Sequence, residues 1–196
     1  MPTPDRTSLP AIVEAGCDLL ELGGPSRVTM QAVAERVGVR APSLYKRVRD
    51  RDALLQLVAD ATVDALRARV AASDGSLPGL ARAYRAFAHA RPEGFRLMYA
   101  IGTSTEALER ASVPVLRAAR ELVGADRALD EARLVTAWVT GFVSMELAGA
   151  FRLGGDVDAA FDYGLARLSA GIAPHDVDGQ PPASSRPGHT LPAHGS

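Results

Sequence analysis

The chain has 196 residues, 47% of them hydrophobic but only 5% aromatic, and a formal net charge of −1. That is enough apolar material for one aliphatic core, or a small one beside a larger one, and far too little net charge for a chain that coats nucleic acid by bulk electrostatics. Cys17 stands alone, which rules out an intrachain disulfide, and the longest uncharged apolar run, Leu134 to Met145, is too short to span a bilayer.

The opening from Pro2 to Pro10 is polar and lacks the apolar stretch of a secretory signal, so a cytoplasmic protein with a reduced thiol is expected. Helical periodicity dominates the chain from Leu9 onward, and no run of alternating β-branched residues argues for a strand. Leu9, Ile12, Val13, Gly16, Cys17 and Leu20 trace one face of a first helix, stopped by Gly23-Gly24-Pro25. Thr29 is placed to cap a second helix that ends at Gly38, and Pro42 fits the first turn of a third. Across this pair, Ala34, Gly38 and Leu44 stand at helix-turn-helix spacing. Ala34 lets the second helix of the motif cross closely, Gly38 supplies the positive φ of a sharp turn, and Leu44 returns an apolar anchor.

A fourth helix starts near Asp50, carries Leu54, Val58, Ala61 and Ala65 on one stripe, and ends at Ser73-Asp74-Gly75-Ser76. A fifth comes next, with Leu77, Leu80, Ala81, Tyr84, Phe87 and Ala88. Pro92 opens a short sixth through Phe95, Met98 and Tyr99, and Gly102 to Thr105 reads as a loop. A seventh runs from Glu106 to Val123 with a break or kink at Pro114. The eighth is long, from about Leu129 to Leu153, terminated by Gly154-Gly155. Asp156 caps a ninth with Val157, Ala160, Phe161, Gly164, Leu165 and Leu168 on one face. From Pro174 the chain is rich in Pro, Gly, Ser and His and nearly free of large apolar residues, the composition of a disordered tail. The expected architecture is all-α: a three-helix head with the helix-turn-helix at 1–49, a six-helix body at 50–172 and a tail at 173–196.

Between Arg36 and Arg51 there are six basic residues against one acid, Asp50. A local basic patch on a near-neutral chain is the pattern of a DNA-reading element carried by a body with another task. The segment VRAPSLYKRVRDRDALL also resembles the recognition-helix region of the TetR family of bacterial repressors, at Val39, Leu44, Tyr45, Arg47, Val48, Arg51 and Leu54. Arg47 replaces a frequent His and Arg51 a frequent Lys, and both keep a donor for phosphate. More weakly, LVTAWVTGFVSMELAGAF resembles the long C-terminal helix of a TetR subgroup with a Trp-His-Gly run; here Trp138 and Gly141 match, and Thr140 replaces the His.

The resemblance implies base reading by Gln31, Ala41, Pro42 and Tyr45 and phosphate anchoring by Thr29, Arg47 and Arg51. Ala41 can only touch a thymine methyl, so specificity shifts to Gln31, Ser43 and Lys46, with Arg40 beside them. The implied function is a homodimeric transcription repressor, released from a double-stranded DNA operator by a small-molecule inducer, with no cofactor, no metal and no membrane partner. The body's aromatic residues Phe87, Phe95, Tyr99, Trp138 and Phe142 are candidates to line an apolar ligand site among helices four to eight, against an ordinary core role for each. A dimer seam is expected from the Val157–Leu168 stripe together with Gly141, Ser144 and Ala148. The competing reading is a small all-α enzyme whose head is only a packing element. Its one titratable cluster would be His89 near Glu93 and Glu106, and Cys17, on an apolar stripe, is a structural thiol.

Overall fold

The structure, a computed structural model, describes residues 8–171, and among these every regular element is helical. The head consists of α1 (Leu9–Glu21), a 3₁₀ turn (Pro25–Arg27), α2 (Met30–Val37) and α3 (Ala41–Leu44). From it α4 (Arg51–Ala71) leads into α5 (Leu77–Ala90), α6 (Pro92–Ala100), α7 (Thr105–Val123), α8 (Ala128–Leu147) and α9 (Val157–Gly171). The expected tail lies outside the described residues.

Helices begin where a short polar side chain can satisfy an orphan amide. Ser8, Thr29, Asp50, Ser76 and Ser104 each accept a hydrogen bond from the amide three residues on, at 2.8–3.3 Å. Gly38 ends α2 at φ 73°. Its amide donates to Glu35 (3.1 Å) and that of Val39 to Ala34 (2.9 Å), the paired bonds of a glycine-terminated helix.

Two main cores result. Ile12, Leu20, Val28, Val33, Ala34 and Leu44 close the head with Leu54, Leu55, Val58 and Ala59 from the first half of α4. Val63 and Leu66 from its second half enter the body core with Leu77, Leu80, Phe87, Phe95, Val139, Val143 and Phe161. One helix thus serves both cores. α6 is shared as well: Leu97 is buried in the head core, whereas Phe95 and Met98 belong to the body. Gly16 sets the approach of α1 to α4, since a Cβ there would lie 2.7 Å from Cγ2 of Val58.

Four sequence expectations change. On α4 the expected Leu54 and Val58 are fully buried, but the buried face continues through Thr62, Val63 and Leu66, while Ala61 is only half-buried and Ala65 is exposed. A helix that crosses from one core to another turns its buried face as it goes, which a single stripe cannot describe. α7 is continuous through Pro114, with no break. α8 stops at Leu147, not Leu153, because Gly149 takes φ 65° and terminates it first. There the amide of Gly149 donates to Glu146 and that of Ala150 to Met145, both at 2.9 Å. Asp156 caps α9 as expected, accepting from Asp158 and Ala159 at 2.8 and 3.2 Å, but Ala160 is exposed, not on the buried face.

Candidate functional site

The head presents one polar surface. Leu44 is fully buried and Val48 nearly so, which pins the segment between them from beneath and turns Tyr45, Lys46 and Arg47 outward. Gln31, Arg40 and Pro42 are exposed as well, while Thr29, Ala41 and Ser43 are half-buried at its edge. Helical geometry lasts only from Ala41 to Leu44, after which the chain continues in turns, with the amides of Arg47 and Val48 donating to the Leu44 carbonyl at 2.8 and 2.9 Å. Gln31 donates from Nε2 to Glu35 at 2.6 Å, so its amide is already oriented.

Arg51 has a role that sequence reasoning missed. Its Nε donates to the Val28 carbonyl (2.8 Å) and its terminal nitrogen to the Pro25 carbonyl (2.5 Å). The guanidinium therefore brackets the first turn of α4 to the 3₁₀ turn. Those carbonyls point at Arg51 only because the chain folds back across 23 and 26 residues, which no local pattern reveals. Asp50 beside it is held below its ordinary carboxylate pKa, first by the Ala53 amide and then by Arg49.

The body contains a cavity of about 480 Å³, within the range of small-molecule sites, bounded by α4 to α8. Its walls are mostly aliphatic: Leu66, Val70, Leu80, Leu108, Val115, Val135 and Val139. Tyr84 and Tyr99 form one side, their hydroxyls 2.6 Å apart, with Tyr84 also 2.8 Å from Oγ1 of Thr140. Burial pushes the Tyr84 hydroxyl pKa up, so it acts as a neutral donor and acceptor.

Of the five aromatic residues expected at a ligand site, Tyr99 lines this cavity and four do not. Phe87 is core, and Phe95 sits one layer back, edge-on to Tyr84 and Tyr99 at 5.6 and 5.5 Å between centroids. Trp138 and Phe142 turn toward α9. The Trp138 ring stacks on Phe161 at 5.3 Å and lies where a Cβ on Gly164 would meet its Cζ2 at 2.1 Å. All aromatics on α8 look alike in sequence; which face α9 covers is a matter of packing. The aliphatic positions that do form the wall carried no signal beyond ordinary core periodicity.

Not every residue of the expected seam faces outward. Leu165 is buried in the body core, while Leu134, Met145 and Tyr163 are 51, 50 and 67% exposed and Gly141 opens onto free space. His89 meets neither Glu93 nor Glu106 among the contacts seen. Its Nε2 lies 3.0 Å from Glu146, whose carboxylate also takes the Nε of Arg85 at 2.8 Å. Arg85 in turn reaches Asp158 on α9 at 2.6 Å, making the cluster an ion-pair clamp across α5, α8 and α9. Arg85 first, and His89 less strongly, hold the Glu146 carboxyl below its ordinary pKa. Among the described residues no group of three or more His, Cys, Asp or Glu is placed to hold a metal, and no helix is long and apolar enough to cross a membrane.

Head and body meet at a second junction besides α4. The Glu21 carboxylate at the end of α1 accepts from the amides of Glu93 and Gly94, at 3.2 and 2.8 Å, capping the N-terminus of α6. Gly94 permits this, because a Cβ there would sit 2.9 Å from Thr62 Cγ2 and 3.0 Å from Glu21 Oε1.

Residues 12–58 match the family of bacterial regulatory proteins called tetR, and residues 77–168 match the tetracyclin repressor-like C-terminal domain. An uncharacterised helix-turn-helix-type transcriptional regulator of Mycobacterium tuberculosis is 29% identical over 182 residues, covering 86% of this chain and 83% of the relative. The structure of BioQ from Mycobacterium smegmatis is similar, with a TM-score of 0.64 and 27% identity over 85% of this chain and 97% of that one. A TetR variant from Acinetobacter baumannii, crystallised in complex with minocycline, aligns with a TM-score of 0.64 and 26% identity over 84% and 96% of the two chains. With the head's motif, the helical body and both halves of the chain matched, this protein belongs to the TetR family of helix-turn-helix transcriptional regulators.

Proposed function

We propose that this regulator is a homodimeric repressor that leaves its operator when a small, mostly apolar molecule enters the body cavity. The observation that supports this reading most is that the two helices joining head to body also wall the cavity. α4 contributes Val63, Leu66 and Val70, and α6 contributes Met98 and Tyr99. α6 also buries Leu97 in the head and receives the Glu21 cap. An occupant that displaces α6 or α4 therefore acts on the head through packed contacts, and selects body conformations whose heads no longer fit successive major grooves. Tyr45, Lys46 and Arg47, with Gln31, Arg40, Ala41, Pro42, Ser43 and Thr29, form the proposed DNA surface; Arg51 supports it from behind. The catalytic reading has no comparable support, since His89, Glu146 and Arg85 satisfy one another.

Paired heads need half-sites about one DNA turn apart, roughly 34–36 Å. The outward faces of α8 and α9, with Leu134, Gly141, Met145 and Tyr163 exposed, are the proposed seam. Leu165→Glu would strike the core, so Tyr163→Glu is the informative substitution. Footprinting the purified protein on the DNA flanking its own gene, beside sedimentation of wild type and Tyr163→Glu, tests this function. A symmetric two-lobed footprint, lost when the variant sediments as a monomer, is expected. Absence of any protected site, or full protection by a monomer, would sink it.

A further inference from the structure

The cavity's apolar walls are interrupted by one charge. Among the described residues that line it, Arg67 is the only ionisable side chain of either sign apart from the two tyrosines, and no Asp or Glu lines it. Arg67 sits on α4 among the lining residues with its side chain 43% exposed, so it borders both the cavity and solvent. Its carboxylate neighbour is shared between two arginines. Asp64 lies 3.7 Å from the Arg67 Nε, an ion pair without a hydrogen bond, and the same carboxylate accepts from Arg110 at 3.2 and 3.1 Å. A guanidinium that shares its one carboxylate with a second arginine, at the edge of an aliphatic chamber, is a site for a molecule with one anionic end and an apolar body.

Resting on the reading of this cavity as the regulator's ligand site, we propose that its ligand is an amphipathic monocarboxylate. The carboxylate pairs with Arg67 at the edge and the hydrocarbon fills the chamber between Leu80, Val115 and Val139. A planar guanidinium matches a carboxylate with two parallel hydrogen bonds. Ser112 on the wall donates its hydroxyl proton to the Glu109 carbonyl (2.9 Å) and presents oxygen lone pairs. With that proton committed it is not free to donate to an anion, and the one cation on the wall suits one negative charge.

The test is calorimetric titration of the full chain with sodium decanoate and with decan-1-ol at pH 7, which share a tail and differ in charge. Wild type should bind decanoate at least about tenfold more tightly than the alcohol, the scale of one charge-assisted hydrogen-bonded pair. Arg67→Gln should abolish that preference by weakening decanoate alone, and Arg67→Lys should keep part of it. Ala111→Phe, which fills the chamber, should weaken both probes. Equal affinity of the two probes for wild type, or an undiminished preference in Arg67→Gln, overturns the carboxylate proposal. If in addition Ala111→Phe still blocks both, the cavity reading stands without it. If neither probe binds, or Ala111→Phe leaves both unchanged, the cavity reading fails and the proposal with it.

Discussion

The head and the body are built from the same helix-forming, Ala-rich sequence, yet they are packed for different ends. In the head, Ile12, Val28, Val33, Ala34 and Leu44 are completely buried, and the turns between helices are fixed by local devices: Ser8 and Thr29 as caps, Gly38 as a stop, Arg51 across two carbonyls. In the body, five helices stand around a chamber of about 480 Å³, and much of what holds them is polar and long-range. The clamp of Arg85, Glu146, His89 and Asp158 and the hydroxyl cluster of Tyr84, Tyr99 and Thr140 add polar ties to its apolar core. A head that must present a fixed surface tolerates little repacking, and a body with a chamber has room for more than one arrangement.

The same enlargement made in both places should have very different costs. Ala34→Leu inserts volume into a site with none to spare and should cost about 2–3 kcal/mol in urea unfolding, whereas Ala81→Leu, at the chamber wall, should cost less than about 1 kcal/mol. Equal costs would mean the chamber is not real space. Next in size is Arg85→Ala, which leaves the largely buried Glu146 without its main partner; a loss of about 2 kcal/mol is expected, with α9 fraying first by hydrogen exchange.

Arg51→Ala should cost about 1 kcal/mol by releasing the Val28 and Pro25 carbonyls, and should weaken DNA binding with little effect on the body. Arg47→Ala should leave stability nearly unchanged while lowering the slope of log affinity against log salt by about 0.9 if it neutralises one phosphate. Retention of the full slope in Arg47→Ala would remove that contact from the docking surface.

The smallest effect is in acid. Because the folded state holds Glu146 below its ordinary pKa of 4.5, its ion pairing stabilises the protein above that pH and is lost as the pH falls through the lower folded value. Glu146→Gln should therefore be less stable than wild type at pH 7, with a flatter decline in urea midpoint below pH 4.5. Parallel declines in the two proteins would show that other carboxylates govern acid unfolding.

Residue type and spacing account for the parts whose causes are local. The caps at Ser8, Thr29, Asp50 and Asp156, the turn at Gly38 and the burial of Ala34 and Leu44 all come from residue type and spacing, and so did the head's outward-facing basic surface. Helix packing settles whatever depends on which helix lies against which. Trp138 and Phe142 joined α9 instead of the chamber because Gly164 leaves room for an indole ring. Leu165 turned inward and Tyr163 outward by the same docking of α9. Arg51 became a bracket and Arg67 the lone cation of an apolar chamber for a common reason: a long side chain's partner is set by what the fold brings within its reach, and sequence spacing carries no record of that.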